Sequence, residues 1–131
     1  TLKDEHVNVV GEVADAKEFV ANHNVAIVPL LSGSGIRIKI IESMALGKTV
    51  ITTQVGAEGI LYEEDVNIII AENKAKMVEA IRRINESPEM AAEIGKAARK
   101  LVEETYDNRK IIARLLLFYE QIKPTSKISF M

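Results

Sequence analysis

An α/β fold with a parallel sheet and flanking helices is what this sequence predicts, and three observations predict it. Short β-branched or apolar runs alternate with segments of helical spacing. One of those runs, Val25-Ala26-Ile27-Val28, is apolar at every residue, as befits a strand covered on both faces. The connections carry glycine and serine and are short enough for strand-to-helix units joined by right-handed crossovers. The 131 residues allow one domain at most, and an apolar fraction of 47% supplies a core for it.

The elements follow in order. Val7 to Val10, ahead of Gly11, has the β-branched content of a short strand. Asp15 opens a short helix over 16–22 with Phe19 and Val20 on one face, and Asn22-His23-Asn24 stops it. The strand from Val25 to Val28 ends at Pro29. A loop, Leu30-Leu31-Ser32-Gly33-Ser34-Gly35, leads into a helix from Ile36 to Leu46, with Ile38, Ile41, Met44 and Ala45 apolar in helical spacing and Gly47 closing it. Thr49 to Thr53 is a second strand. Gln54 to Gly59 is a loop whose glycines let the backbone turn sharply or meet a ligand, and Asn67 to Ile70 is a last short strand. From Lys74 onward the pattern is helical, first with a stripe of Met77, Ile81 and Ile84. Ser87 as N-cap and Pro88 at the first helical position start a second helix that runs to about Thr105. Asp107 or Asn108 caps a third over 111–122, where Leu115 to Phe118 are expected to pack on the sheet or on another domain. Pro124 ends that helix, so residues 1–123 are expected to form the domain and 124–131 a C-terminal tail.

Composition removes several classes of function. With 17 Lys+Arg against 19 Asp+Glu the net charge is −2, whereas neutralising nucleic acid phosphates or an anionic lipid surface needs a basic excess. Zero cysteines exclude disulfides, thiolate metal sites and cysteine nucleophiles. His6 and His23 lack a second ligand at helical spacing, so no metal and no cofactor is expected, and Glu63-Glu64-Asp65 reads as a solvated loop. No run approaches the ~18 apolar residues of a membrane span and the first residues are not a secretion signal, which gives a soluble, cytoplasmic expectation.

The informative stretch is Pro29 to Gly47. A buried strand delivers the chain to a glycine loop, and the loop delivers it to a helix start, where free N–H groups and the positive end of the dipole can hold a phosphate. In open α/β sheets ligands bind outside the carboxyl ends of the strands, where this loop must lie. Gly33 and Gly35 remove side chains from the approach, and Glu42 could turn a carboxylate toward a ribose diol. A lone G-x-G serves equally as a plain turn, with Glu42 a solvated helix residue. Arg37 and Lys39 are two cations at the mouth of the loop: either ordinary surface charge or a means of neutralising a diphosphate, although their i, i+2 spacing keeps both from facing one ligand on a regular helix. Gly47-Lys48-Thr49 is not the end of a Walker A loop, because Glu42 stands where that motif requires glycine.

The run VPLLSGSGIRIKIIESMALGKTVITTQVGAEGI, residues 28–60, resembles the C-terminal nucleotide-sugar-binding domain of GT-B glycosyltransferases of family GT4, the group 1 transferases. Val7 to Gly11 is similar to the V-x-V-x-G strand of that family and the helical end to its closing helices. The resemblance implies a Rossmann-like, donor-binding half of a GT-B enzyme that binds a UDP- or GDP-sugar. It further implies transfer of the sugar to an acceptor hydroxyl with retention, without a metal, and with Arg37 or Lys39 stabilising the diphosphate. In the family one glutamate reaches the donor sugar, and a second, eight residues later, binds the ribose. Glu42 matches the second, and Ser34 stands where the first would be. The hydroxyl of Ser34 and the N–H groups of Gly35, Ile36 and Arg37 are then the substitutes, and Glu58 matches the glutamate of the loop after the next strand.

A full domain of the family has two strand and helix pairs ahead of the V-x-V-x-G strand, and an N-terminal domain that holds the acceptor. Neither is found in this sequence. The expectation is therefore a sheet lacking its first strands, an exposed edge open to self-association, and a fragment inactive without its acceptor domain, from a parent enzyme for which peripheral membrane association is left open. Two other readings stay open: a non-catalytic nucleotide or sugar-phosphate binding module, and a GT-B-like nucleotide-sugar epimerase.

Overall fold

The structure, a computed structural model, describes residues 5–35 and 37–122. The elements run α1 (Ala16–Ala21), β1 (Val25–Val28), α2 (Ile38–Ala45), β2 (Thr49–Thr52), β3 (Ile69–Ile70), α3 (Lys74–Glu86), α4 (Pro88–Thr105) and α5 (Asn108–Gln121). The three strands form one parallel sheet in the order β1-β2-β3. Val25 pairs with Thr49 and Val28 with Thr52, and Ile51 pairs with Ile69. All three strands therefore point the same way, and the loops that leave them gather along one edge of the sheet.

β2 is the centre, buried at every residue. Its side chains alternate between two cores, as the period of a strand requires. Val50 joins Ile68 and Ile70 in a cluster closed by Ile40 and Met44 of α2 and Ala98 and Val102 of α4. Ile51 joins Ile69 and Ala71 in a second cluster, closed by Ala80 of α3 and Ile94 of α4. Helices thus cover both faces, which is what an all-parallel sheet needs. The turn between α2 and β2 is set by Gly47, whose φ of 70° lets its N–H reach the Met44 carbonyl while the Lys48 N–H reaches that of Ser43, a Schellman stop. Inside β2 the Thr49 hydroxyl donates to the Ala91 carbonyl of α4 at 2.5 Å and ties the strand to the helix crossing it.

Val7 to Val10 forms no strand, and its valines are exposed: strand hydrogen bonds are made to a neighbour, and no described strand lies beside it. Val25–Val28 does form a strand, but at the edge of the sheet. It is half-buried, with Ile27 45% exposed, because among the described strands β2 alone flanks it. The buried stripe of α2 is Ile40, Ser43 and Met44, leaving Ile38 exposed; Lys39 and Glu42 mark its polar side, and packing on β2 and α4 selects which part of the broad apolar side is covered. In α3 Ala80 rather than Ile81 meets the core. The last strand is reduced to Ile69–Ile70, with an isolated bridge between Glu64 and Ile68. α5 begins at Asn108, capped by Asp107, and buries no residue. Leu115 to Phe118 consequently do not pack on the sheet; they are exposed, since α5 touches little besides the end of α4. α5 ends at Gln121, with the Ile122 N–H donating to the Phe118 carbonyl, and Pro124 and the tail lie outside the described residues. Among the described residues no helix is long and apolar enough to cross a membrane.

Candidate functional site

Two of the strand-leaving loops, 29–35 after β1 and 53–59 after β2, meet at the carboxyl edge of the sheet. Threonine hydroxyls tie them to the strands. A β-branched residue suits a strand end, and its hydroxyl can satisfy a carbonyl that the ladder leaves open. Thr52 donates to the Val28 carbonyl at 2.7 Å. Thr53, buried, donates to the Leu30 carbonyl of the first loop and accepts the Gly56 N–H of the second at 3.1 Å, so one side chain spans both. The Gln54 N–H donates to the Glu72 carboxylate at 2.6 Å, joining the second loop to the segment leaving β3. From the far end of α4 the Tyr106 hydroxyl donates to the Gly59 carbonyl at 3.3 Å.

Between the loops lies an open groove of about 450 Å³, lined by Gly33 from the first loop, Gln54, Glu58 and Gly59 from the second, and Tyr62 beyond it. The sequence points to Gly33, Glu58 and the glycines of 54–59. Nothing in the sequence marks Tyr62, Thr53, Glu72 or Tyr106 for this site, since their place depends on contacts between distant parts of the chain.

α2 starts beside this groove and starts open. Its N-cap is Arg37, with φ −88° and ψ 97° and no capping side chain. The extended backbone at Arg37 moves the helix start two residues past Ile36, to Ile38. The Arg37 carbonyl accepts the N–H groups of Ile40 at 2.9 Å and Ile41 at 3.2 Å. That leaves the N–H groups of Ile38 and Lys39, in the first turn, without an intrahelical acceptor, at the positive end of the dipole. Arg37 itself is half-buried, its guanidinium lies against Gly33, and its Nε and Nη2 are buried without a hydrogen-bond partner. Arg37 precedes the helix with extended backbone, so the i, i+2 spacing does not keep it and Lys39 from facing one ligand.

Lys39 is exposed on the first turn of α2, and Glu42 is exposed one turn further on; neither makes an ion pair among the described residues, and Glu42 does not line the groove. Ser34 and Gly35 are exposed at the tip of the first loop. Ile36 lies outside the described residues. No group of three or more His, Asp or Glu side chains among the described residues is placed to hold a metal ion.

Such a site can receive an anionic ligand along the carboxyl edge, with open amides at one end and a cation at its margin. Comparison with known proteins gives the family. The family model for glycosyl transferases group 1 matches residues 1–87. A protein from the cps region of Klebsiella pneumoniae, described as uncharacterized and of 44.6 kDa, is 24% identical over 87 residues, which is 66% of this chain and 22% of that protein. Among solved structures, Anabaena HepE in complex with UDP superposes with a TM-score of 0.72 at 19% identity, covering 84% of this chain and 31% of its own. Sucrose-phosphate synthase from Thermosynechococcus elongatus gives 0.67 at 24%, covering 82% and 27%. The C-terminal domain of the group 1 glycosyl transferase LpcC from Francisella tularensis gives 0.66 at 18%, covering 76% and 53%. This chain thus spans from about a fifth to about half the length of these relatives. With the family model covering well over half of its residues and the parallel sheet matching those structures, the chain belongs to the glycosyl transferases, group 1, and has the α/β fold of GT-B enzymes.

Proposed function

We propose that this chain is the donor-binding part of a retaining glycosyltransferase that moves a sugar from a nucleoside diphosphate to an acceptor hydroxyl. The observation that carries the reading is the uncapped start of α2, with unpaired Arg37 beside it, at the carboxyl edge of a parallel sheet. A relative of the same fold was solved in complex with UDP, which fits this reading.

In this proposal the diphosphate lies on the Ile38 and Lys39 amides, with Ser34 and Gly35 of the loop tip and Ile36 of the same stretch approaching the donor. Glu42 accepts hydrogen bonds from the ribose hydroxyls, and Glu58 stands at the opposite lip. As the bond between the anomeric carbon and the diphosphate oxygen breaks, negative charge grows on the diphosphate. Arg37, Lys39 and the helix start stabilise that charge, the sugar passes to the acceptor oxygen, and the acceptor proton passes to the departing diphosphate oxygen. The acceptor is held by protein outside this chain, so this chain alone does not turn over.

Titration of UDP and GDP by calorimetry tests the reading. One of the two should bind, and Glu42→Ala should weaken it about tenfold, the loss expected for charge-assisted hydrogen bonds to a hydroxyl pair. Unchanged affinity in Glu42→Ala would remove the ribose role; no binding of either nucleotide would remove the donor site.

A further inference from the structure

The Arg37 guanidinium poses a question of its own. It offers five N–H donors, and its Nε and Nη2 are buried with no acceptor. A buried charged donor left unpaired is costly, so its retention requires a reason. Its position also depends on a neighbour. A Cβ built on Gly33 would overlap Nη2 of Arg37 and stand 3.0 Å from its Cζ. Gly33 lines the groove, so the guanidinium is seated against the groove wall.

We infer that Gly33 is a positioning residue: its missing side chain seats the Arg37 guanidinium behind the groove wall, where its charge acts on an oxyanion of the ligand. The sequence alone gives Gly33 a different task, that of clearing the approach for the ligand. In the structure the cleared space is filled by the chain's own arginine. The seat stands on geometry alone; naming the oxyanion a phosphoryl group rests on the function proposed above. Gly33 also has φ 133°, which strains any other residue there. That strain is the same whether or not residue 37 is arginine, so a double-mutant cycle separates the two roles.

Two measurements decide it. In the 15N-labelled protein, the Nε–H of Arg37 should exchange with solvent at least about tenfold more slowly than those of the exposed Arg82 and Arg99, and Gly33→Ala should abolish the difference. In titrations of whichever of UDP and GDP binds the wild type, Gly33→Ala should weaken binding about tenfold in the wild-type background and less than about twofold in the Arg37→Ala background. Equal losses in both backgrounds, or a slowly exchanging Arg37 Nε–H retained in Gly33→Ala, would overturn the inference. Gly33→Ala that unfolds alone but folds together with Arg37→Ala supports the seat; unfolding in both backgrounds refutes it, because strain alone then decides. If the wild type binds neither UDP nor GDP while the exchange result holds, the seat stands and the nucleotide reading falls.

Discussion

α2 and α3 both follow a strand of the same parallel sheet, and both therefore begin at its carboxyl edge. Their starts differ. α3 opens on Asn73, whose side chain accepts the Lys76 N–H at 2.9 Å, and α1, α4 and α5 likewise open on capping Asp15, Ser87 and Asp107. α2 opens on Arg37, which caps nothing. A chain that closes four helix starts with its own side chains has the means to close the fifth. An open start with an unpaired guanidinium beside it carries a stability cost that a bound anion would offset.

The sharpest way to break this contrast is to give α2 the cap it lacks. Arg37→Asp keeps the extended backbone suited to a cap and removes the unpaired guanidinium. It should raise stability by about 1 kcal/mol in a denaturant melt and weaken UDP about a hundredfold. A variant that loses stability, or binds UDP as before, would show that the open start serves nothing. The reverse experiment uncaps α3: Asn73→Ala should lower stability by about 1 kcal/mol and leave UDP affinity unchanged, because that start is already satisfied from within. The smallest effect belongs to α5. The Arg109 backbone N–H, bonded to the Asp107 carboxylate, holds that carboxyl below its ordinary value of 3.8, and the charges of Arg109 and Lys110 add to the effect. A lowered native pKa means a contribution present above the unfolded value and lost as acid protonates the group. Protection of the amides at the start of α5, taken relative to their intrinsic exchange rate at each pH, should therefore fall from about pH 5 to about pH 3 in the wild type, and Asp107→Asn should flatten that change.

What the sequence shows and what it hides divide along the same line. Asp15, Gly47 and Ser87 are legible because caps and stops act over a few residues, and the apolar runs at Val25 and Thr49 announce strands. The edge position of β1 is not legible, since the burial of Val25–Val28 depends on which strands lie beside it. The face of α2 is ambiguous for a related reason: Ile38, Ile40 and Ile41 are alike in sequence, and only packing on β2 and α4 distinguishes them. The glycine loop is visible as a candidate site, with Arg37, Glu42 and Glu58 nearby. The struts that shape it are not, because Tyr106 acts on Gly59 across 47 residues and Glu72 on Gln54 across 18. Leu115 to Phe118 carry the apolar content of core residues, yet they face solvent, since hydrophobicity states what can be buried without saying against what.

The most direct test of the central claim follows the backbone amides of the two helix starts in a 1H–15N spectrum as UDP is added to the wild-type chain. If the diphosphate rests on the open start of α2, the Ile38 and Lys39 amides shift strongly and saturably, while those of Ala75 and Lys76 in α3 stay in place. Equal shifts at both starts, or shifts confined to residues away from α2, would contradict the account.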